Sequence, residues 1–201
     1  VNTGKLIVLE GVDGCGKSTQ RDRLADALRR AGREVVATAE PTGGEWGRRI
    51  RAAARAGAAV APEDELDWFT RDRRSHVAEV IRPALAAGKV VVSDRYFLST
   101  VAYQGARGCD AARILVDSEA EFPIPDLVLL LVLPPAIGLE RVRERAAIAE
   151  PHFEEQEFLT AVAANFAKID RPYLVRVDAD ASVDAVTAAI ETCVHERLGI
   201  L

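Results

Sequence analysis

The chain has 201 residues, 49% of them hydrophobic and 28% charged, an ordinary globular composition with enough chain to bury a substantial core as one domain over residues 1–201. Its net charge of −5 lacks the broad cationic surface that nucleic acid or an anionic membrane attracts, so neither is expected as a partner. Cys15, Cys109 and Cys193 are odd in number and lack metal-ligand spacing, and the chain shows no signal peptide and no uncharged stretch long enough to cross a bilayer, so a reduced, cytoplasmic setting is expected.

In chain order, the apolar run Leu6 to Leu9 predicts a first strand, followed from Gly11 to Ser18 by GVDGCGKS. That is the phosphate-loop pattern of Gly, four residues, Gly, Lys and Ser or Thr. Gly11, Gly14 and Gly16 let the backbone turn so that its N–H groups face a phosphate chain, with Val12, Asp13 and Cys15 between them. Lys17 brings an ammonium to the terminal phosphates, and the Ser18 hydroxyl is placed to ligate Mg²⁺. A helix runs on from about Gly16 through Thr19 to Ala31, adding its N-terminal dipole to the anion site. A dinucleotide-binding loop would want a third Gly or Ala where Thr19 stands. The plainer alternative is a glycine-rich turn. The strand before and the helix after favour ATP binding by residues 11–19.

Glu34 to Ala39 predicts a second strand, closed by the turn Glu40-Pro41-Thr42-Gly43-Gly44. A helical stretch from Trp46 to Ala59 carries Arg48, Arg49, Arg51 and Arg55, and Pro62 opens a long helix reaching about Ala87. The consecutive valines of Lys89 to Ser93 suit a strand buried on both faces, with Asp94-Arg95-Tyr96 at its end. Helices are expected at Leu98 to Arg107 and Ala111 to Ala120, then a strand over Leu127 to Leu133 and a helix from Pro135 to about Ala147. A helix to about Ile169, a strand over Leu174 to Val177, and a helix capped by Ser182 complete the chain.

Strands alternating with helices imply right-handed crossovers: an α/β fold with a five-stranded, mostly parallel sheet and helices on both faces. Ligands in such folds bind at the C-terminal sheet edge. The phosphate loop, Glu40-Pro41 and Asp94-Arg95 all fall there. Asp94, ending a buried strand, suits the Mg²⁺ shell, its alternative being a carboxylate bonded to nearby backbone N–H groups. Arg95 beside the loop invites a second anion. By pattern alone, Phe69 and Tyr103 read equally well as core, and His76 and His152 as surface or packing residues.

The run DRYFLSTVAYQG, from Asp94 to Gly105, resembles the signature of thymidylate kinases. So do WFTRDRRSHVAEVIRPALAAGKVVVSDRY before it, the GVDGCGKST loop, the EPTGG turn with its following IR, and DLVLLLVLPPAIGLERVRER. The resemblance runs in order over nearly the whole chain. It implies a P-loop NTPase fold with a short lid at about 141–156, phosphorylation of dTMP by ATP with Mg²⁺, and a homodimer. By the resemblance, Phe69 stacks on thymine and Arg73 bonds the pyrimidine carbonyl; Arg95 and Arg51 hold the acceptor phosphate. Asp13 lies near the sugar 3′-hydroxyl and that phosphate, and Glu40 and Pro41 stand at the acceptor site. Tyr103 and Gln104 line the nucleoside pocket, with Ser99 and Thr100 near the base. Lys17, Asp13, Arg95, Arg141 and Arg145 form the implied catalytic set, the last two closing from the lid.

Departures are visible too. Ala39 replaces a frequent arginine, and the loop lacks the arginine some members carry. In the lid, AIAEPHFEEQEF retains Glu154 but puts Pro151 and His152 at the Asp and Arg positions of the family pattern. Two other functions fit the same residues: a kinase for another pyrimidine monophosphate such as dUMP, and a nucleotide-binding regulatory module with a degenerate lid.

Overall fold

The computed structural model describes residues 4–146 and 153–201. The strands are β1 (Lys5–Glu10), β2 (Val35–Ala39), β3 (Val90–Asp94), β4 (Leu127–Val132) and β5 (Leu174–Asp178). They form one sheet in the order β2-β3-β1-β4-β5, and every pairing is parallel. The central strands are apolar because both faces are covered: Leu6 to Leu9, Val90 to Val92 and Leu127 to Leu131 are all buried.

The helices are α1 (Lys17–Arg30), α2 (Glu45–Ala56), α3 (Pro62–His76), α4 (Arg82–Ala86), α5 (Phe97–Ala106), α6 (Ala111–Glu121), α7 (Pro135–Ala146), α8 (Phe153–Lys168) and α9 (Val183–Leu198). The long helix expected from Pro62 to Ala87 is present but not uniform. A π-helical turn over Val77–Ile81 separates α3 from α4. Pro83, in the first turn of α4, has no N–H to give the carbonyl of Glu79, which disfavours regular α-helical bonding there.

The topology places the site. The connection leaving β1 runs one way to β2, passing β3, whereas that leaving β3 runs the other way to β4, passing β1. Right-handed crossovers in opposite directions put their helices on opposite faces. α1 packs with α9, and α5 packs with α6 and α8. Strand order therefore reverses at the border of β1 and β3, and a crevice opens beyond their C-terminal ends. Leu9 lies beside Asp94 across that border. The phosphate loop and Asp94-Arg95 leave the sheet side by side.

Candidate active site

The loop after β1 folds as its spacing requires. Gly14 has φ +82°, and a Cβ there would lie 2.0 Å from the carbonyl oxygen of Gly138 in α7. A side chain would thus be strained by the backbone and blocked by a neighbour. Cys15 is buried and packs in the core, with Sγ 3.6 Å from Lys17 Nζ. Lys17 Nζ donates to the carbonyls of Gly11, at 3.0 Å, and Val12, at 2.9 Å. Among the described residues no side chain caps the N-terminus of α1, and no acidic residue stands in its first turn, leaving those N–H groups and their partial positive charge for an anion.

Among the cavities at this sheet edge, two adjoin at Asp13 and Arg95. The first, about 470 Å³, is lined by Asp13, Gly14, Gly16, Lys17, Ser18, Thr19, Asp94 and Arg95, and by Leu139, Val142, Phe158 and Leu159 from α7 and α8. The second, about 200 Å³, is narrower and more apolar, with Phe69, Pro41 and Tyr96 beside Glu40, Arg73, Ser99, Thr100, Tyr103 and Gln104. Asp13 and Arg95 line both. The boundary between the cavities is therefore an ion pair.

That pair is firmly built. Arg95 Nη2 donates to Asp13 Oδ1 at 2.5 Å, Arg95 Nη1 to Ser99 Oγ at 3.0 Å, and the Tyr103 hydroxyl to Asp13 Oδ2 at 2.9 Å. The guanidinium carbon lies 5.0 Å from the centre of the Tyr103 ring, a cation–π contact. Arg95 takes φ 72°, uncommon for a residue with a side chain, at the point where β3 hands over to α5. Burial opposes ionisation of Asp13, but the Arg95 and Lys17 charges and the Tyr103 and Arg95 hydrogen bonds outweigh it and hold the carboxyl below its ordinary value.

Behind Arg95 stands Glu10, the last residue of β1 and one place beyond the run Leu6 to Leu9 read from the sequence. It is fully buried, and its Oε1 accepts from the N–H groups of Tyr96, at 2.9 Å, and Ser99, at 3.1 Å. Its Oε2 accepts from the Ser99 hydroxyl, which in turn accepts from Arg95. Tyr96 makes no side-chain cap for α5, so a carboxylate from β1 does that work. A polar residue ending an apolar strand, one place before the loop, was the available signal.

Desolvation pushes Glu10 up from 4.5 to about 7, against the lowering effects of Ser99, Arg95 and the backbone N–H of Tyr96. Between those values the folded protein holds a proton that the unfolded chain releases. Stability from this group is therefore present below pH 4.5 and falls by about 3 kcal/mol as pH rises to about 7. Glu10→Gln, neutral throughout, is expected to remove this slope. Urea unfolding at pH 5 and pH 8 checks it, and parallel losses in both proteins would refute it.

The second cavity is organised by another buried carboxylate. Glu40 Oε2 pairs with Arg73, at 2.9 Å from Nε and 2.7 Å from Nη2, and Arg73 Nη2 also donates to Thr100 Oγ1 at 3.0 Å. Gln104 donates from Nε2 to Glu65 at 2.7 Å, while its buried Oε1 accepts no hydrogen bond within the described residues. Asp94 likewise has one buried oxygen, Oδ1, with no partner there, while its Oδ2 accepts from the Ser18 hydroxyl at 2.5 Å. Hard oxygen donors, one of them unsatisfied, suit Mg²⁺ beside a bound triphosphate.

Most sequence-derived site residues converge on the two cavities, but some do not line them. Arg51 bonds the carbonyls of Pro41, at 2.8 Å, and Thr42, at 2.5 Å, bracing the turn. Arg141 donates to the Ala179 carbonyl at 3.5 Å, beyond β5. Val12 is a core residue. The Arg145 and Glu154 side chains, Pro151 and His152 lie outside the described residues. His76, expected at the surface or in packing, is buried against Glu40.

The sequence pattern that defines the family described as Thymidylate kinase matches residues 9–190. That match spans both strand ends and both cavities. The chain belongs to the thymidylate kinase family. It is 47% identical over 201 residues to a thymidylate kinase of Xanthomonas campestris pv. campestris (strain B100), covering 98% of this chain and 87% of the relative. The figures for a thymidylate kinase of Desulfotalea psychrophila are 44% over 197 residues, with 98% and 97% covered. For one of Akkermansia muciniphila they are 42% over 194 residues, with 96% and 93% covered.

Proposed function

We propose that this chain transfers the γ-phosphoryl group of ATP to dTMP, giving ADP and dTDP, with the two nucleotides in the two cavities that meet at Asp13 and Arg95. That shared wall carries the reading. Phosphoryl transfer needs two phosphates aligned and their charge screened, with little further chemistry from the protein. The larger cavity, with the loop, Lys17 and the α1 N-terminus, has the chemistry of a triphosphate site. An acceptor phosphate oxygen, already anionic, attacks the γ-phosphorus while the bond to the β-phosphate oxygen breaks, and ADP leaves. Arg95 and Lys17 counter the charge on the transferring group. Ser18 and Asp94 would hold Mg²⁺, which when bound neutralises phosphate charge.

The smaller cavity supports a thymine base. Arg73 offers donors and Gln104 Oε1 offers a buried, unsatisfied acceptor on its lining. Thymine and uracil carry the complementary pair, a carbonyl beside an N–H, whereas cytosine carries an amino group beside an unprotonated nitrogen. Phe69, half-buried on the same lining, would stack on the ring. Tyr103, bonded to Asp13, stands beside the sugar. Arg51 acts through the Pro41–Thr42 turn it braces, and Arg141 and Arg145 close the lid over the donor. We further propose that the chain works as one domain over 1–201 and as a homodimer on diffusible cytoplasmic nucleotides, readings supported by the family resemblance.

A coupled assay of ADP release with ATP and Mg²⁺, against dTMP, dUMP, CMP, UMP and AMP with products identified, tests the proposal. Preference for dTMP with dTDP formed is expected; ATP binding with no acceptor phosphorylated would overturn it. Phe69→Ala is expected to weaken dTMP binding by about 1–3 kcal/mol, roughly a tenfold rise in KM at mid-range, with ATP KM unchanged. An unaltered dTMP KM would take Phe69 out of the site.

A further inference from the structure

Arg73 is a long side chain that must present its guanidinium to the base in one orientation, and it is only 2% exposed. A guanidinium buried to that degree needs a carboxylate partner, and the carboxylate must itself be held. Glu40 is that partner, at the end of β2, where its backbone N–H bonds the carbonyl of Asp94 at 3.0 Å. One carboxylate oxygen is taken by Arg73. The other, Oε1, accepts from His76 Nδ1 at 2.9 Å, and His76 Nε2 lies 2.7 Å from the Thr38 hydroxyl on β2. Arg73 and His76 stand three residues apart on one face of α3, so the same helix grips Glu40 through both of its oxygens.

We propose that His76 is a positioning residue for base recognition, fixing Glu40 and through it the Arg73 guanidinium that meets the pyrimidine; this rests on the acceptor-site reading above. An ionised carboxylate only accepts, so Nδ1 carries a proton. A hydroxyl both donates and accepts, so Thr38 satisfies Nε2 whichever form it takes. The imidazole thus joins Thr38 of β2 to Glu40 just beyond it, without itself lining the acceptor cavity. A wholly apolar residue of that volume would leave Glu40 Oε1 buried and unpaired, free to draw Arg73 off its line. The consequence is specific to the acceptor. Lys17 and the α1 N-terminus lie in the other cavity and are untouched by it.

Calorimetric dTMP binding and steady-state kinetics on the full chain test this with two variants. His76→Phe keeps a ring of similar size but neither hydrogen bond, and is expected to raise dTMP Kd and KM about tenfold, with kcat within about twofold and ATP KM unchanged. His76→Asn returns an N–H near the Nδ1 position and is expected to recover most of that loss. Folded His76→Phe with wild-type dTMP affinity, or with equal losses for ATP and dTMP, would overturn the role. Should His76→Phe fail to fold, Thr38→Val decides: dTMP KM should rise about threefold through loss of the far hydrogen bond, and an unchanged KM overturns the proposal. Failure of the kinase reading looks different. Wild type would then bind dTMP without phosphorylating it, and the Kd ratios would still judge His76; a wild type that binds no dTMP removes both.

Discussion

Lys17→Ala is expected to lower kcat by about a thousandfold or more while the protein remains folded, as it removes a preorganised cation from the transferring phosphate. In the structure Lys17 is 6% exposed, and its ammonium rests on the carbonyls of Gly11 and Val12 inside the loop. Those contacts keep the charge within the concavity rather than contributing a unique tertiary link. The α1 backbone, the loop glycines and the apolar packing of Val12 and Cys15 do not depend on its ammonium. Thermal unfolding should therefore move little while single-turnover dTDP formation collapses. A variant with more than a tenth of wild-type kcat would remove Lys17 from the transfer step, and with it the loop's assigned role.

The strand-and-helix alternation was legible because apolar runs and glycines mark it directly, and every expected element is present. The parallel sheet followed from the crossover rule. The convergence of Gly11–Ser18, Glu40-Pro41 and Asp94-Arg95 on one edge followed from that sheet, since all three begin where a strand ends. What could not be read were the residues behind those that face the cavities. Glu10 and His76 act through other side chains, and their partners are 89 and 36 residues away. No local period signals such a pairing. The π turn before α4 was likewise hidden, because Val77–Ile81 has ordinary helical composition and only Pro83 disturbs the ladder. Arg51 is a further case: its charge and spacing from Pro41 were legible, but not that its guanidinium bonds the turn's own carbonyls.

A common design emerges at the smaller cavity. Each of its two arginines is held by a carboxylate from the end of a parallel strand: Arg73 by Glu40 after β2, and Arg95 through Ser99 by Glu10 of β1. The carboxylates are buried, so the arginines are fixed before a nucleotide arrives. Fixing them beforehand lowers the ordering cost of binding.

Arg95→Lys follows from that design and is the sharper test of the shared wall. The guanidinium spans Asp13, Ser99, the Gly11 carbonyl and the Tyr103 ring at once, while bordering both cavities. A lysine keeps the charge but is a point donor on a flexible stem and cannot hold the same fork. Loss of the Arg95 bond would leave Asp13, whose carboxyl is held low partly by Arg95, as a less compensated anion beside an incoming dianionic phosphate. Both effects act on the acceptor and on the transition state, so kcat/KM for dTMP is expected to fall about 100- to 1,000-fold. ATP affinity, set by the loop and the α1 N-terminus, should change by less than about threefold. Adding Asp13→Asn to Arg95→Lys should then recover part of the loss, because it removes the uncompensated charge, whereas a purely structural role for the pair predicts further decline. Recovery would place the electrostatic balance of Asp13 and Arg95 at the point where the two nucleotides meet. Additive loss would assign Arg95 to holding the β3–α5 turn and leave the transferring charge to Lys17 and the arginines proposed for the lid.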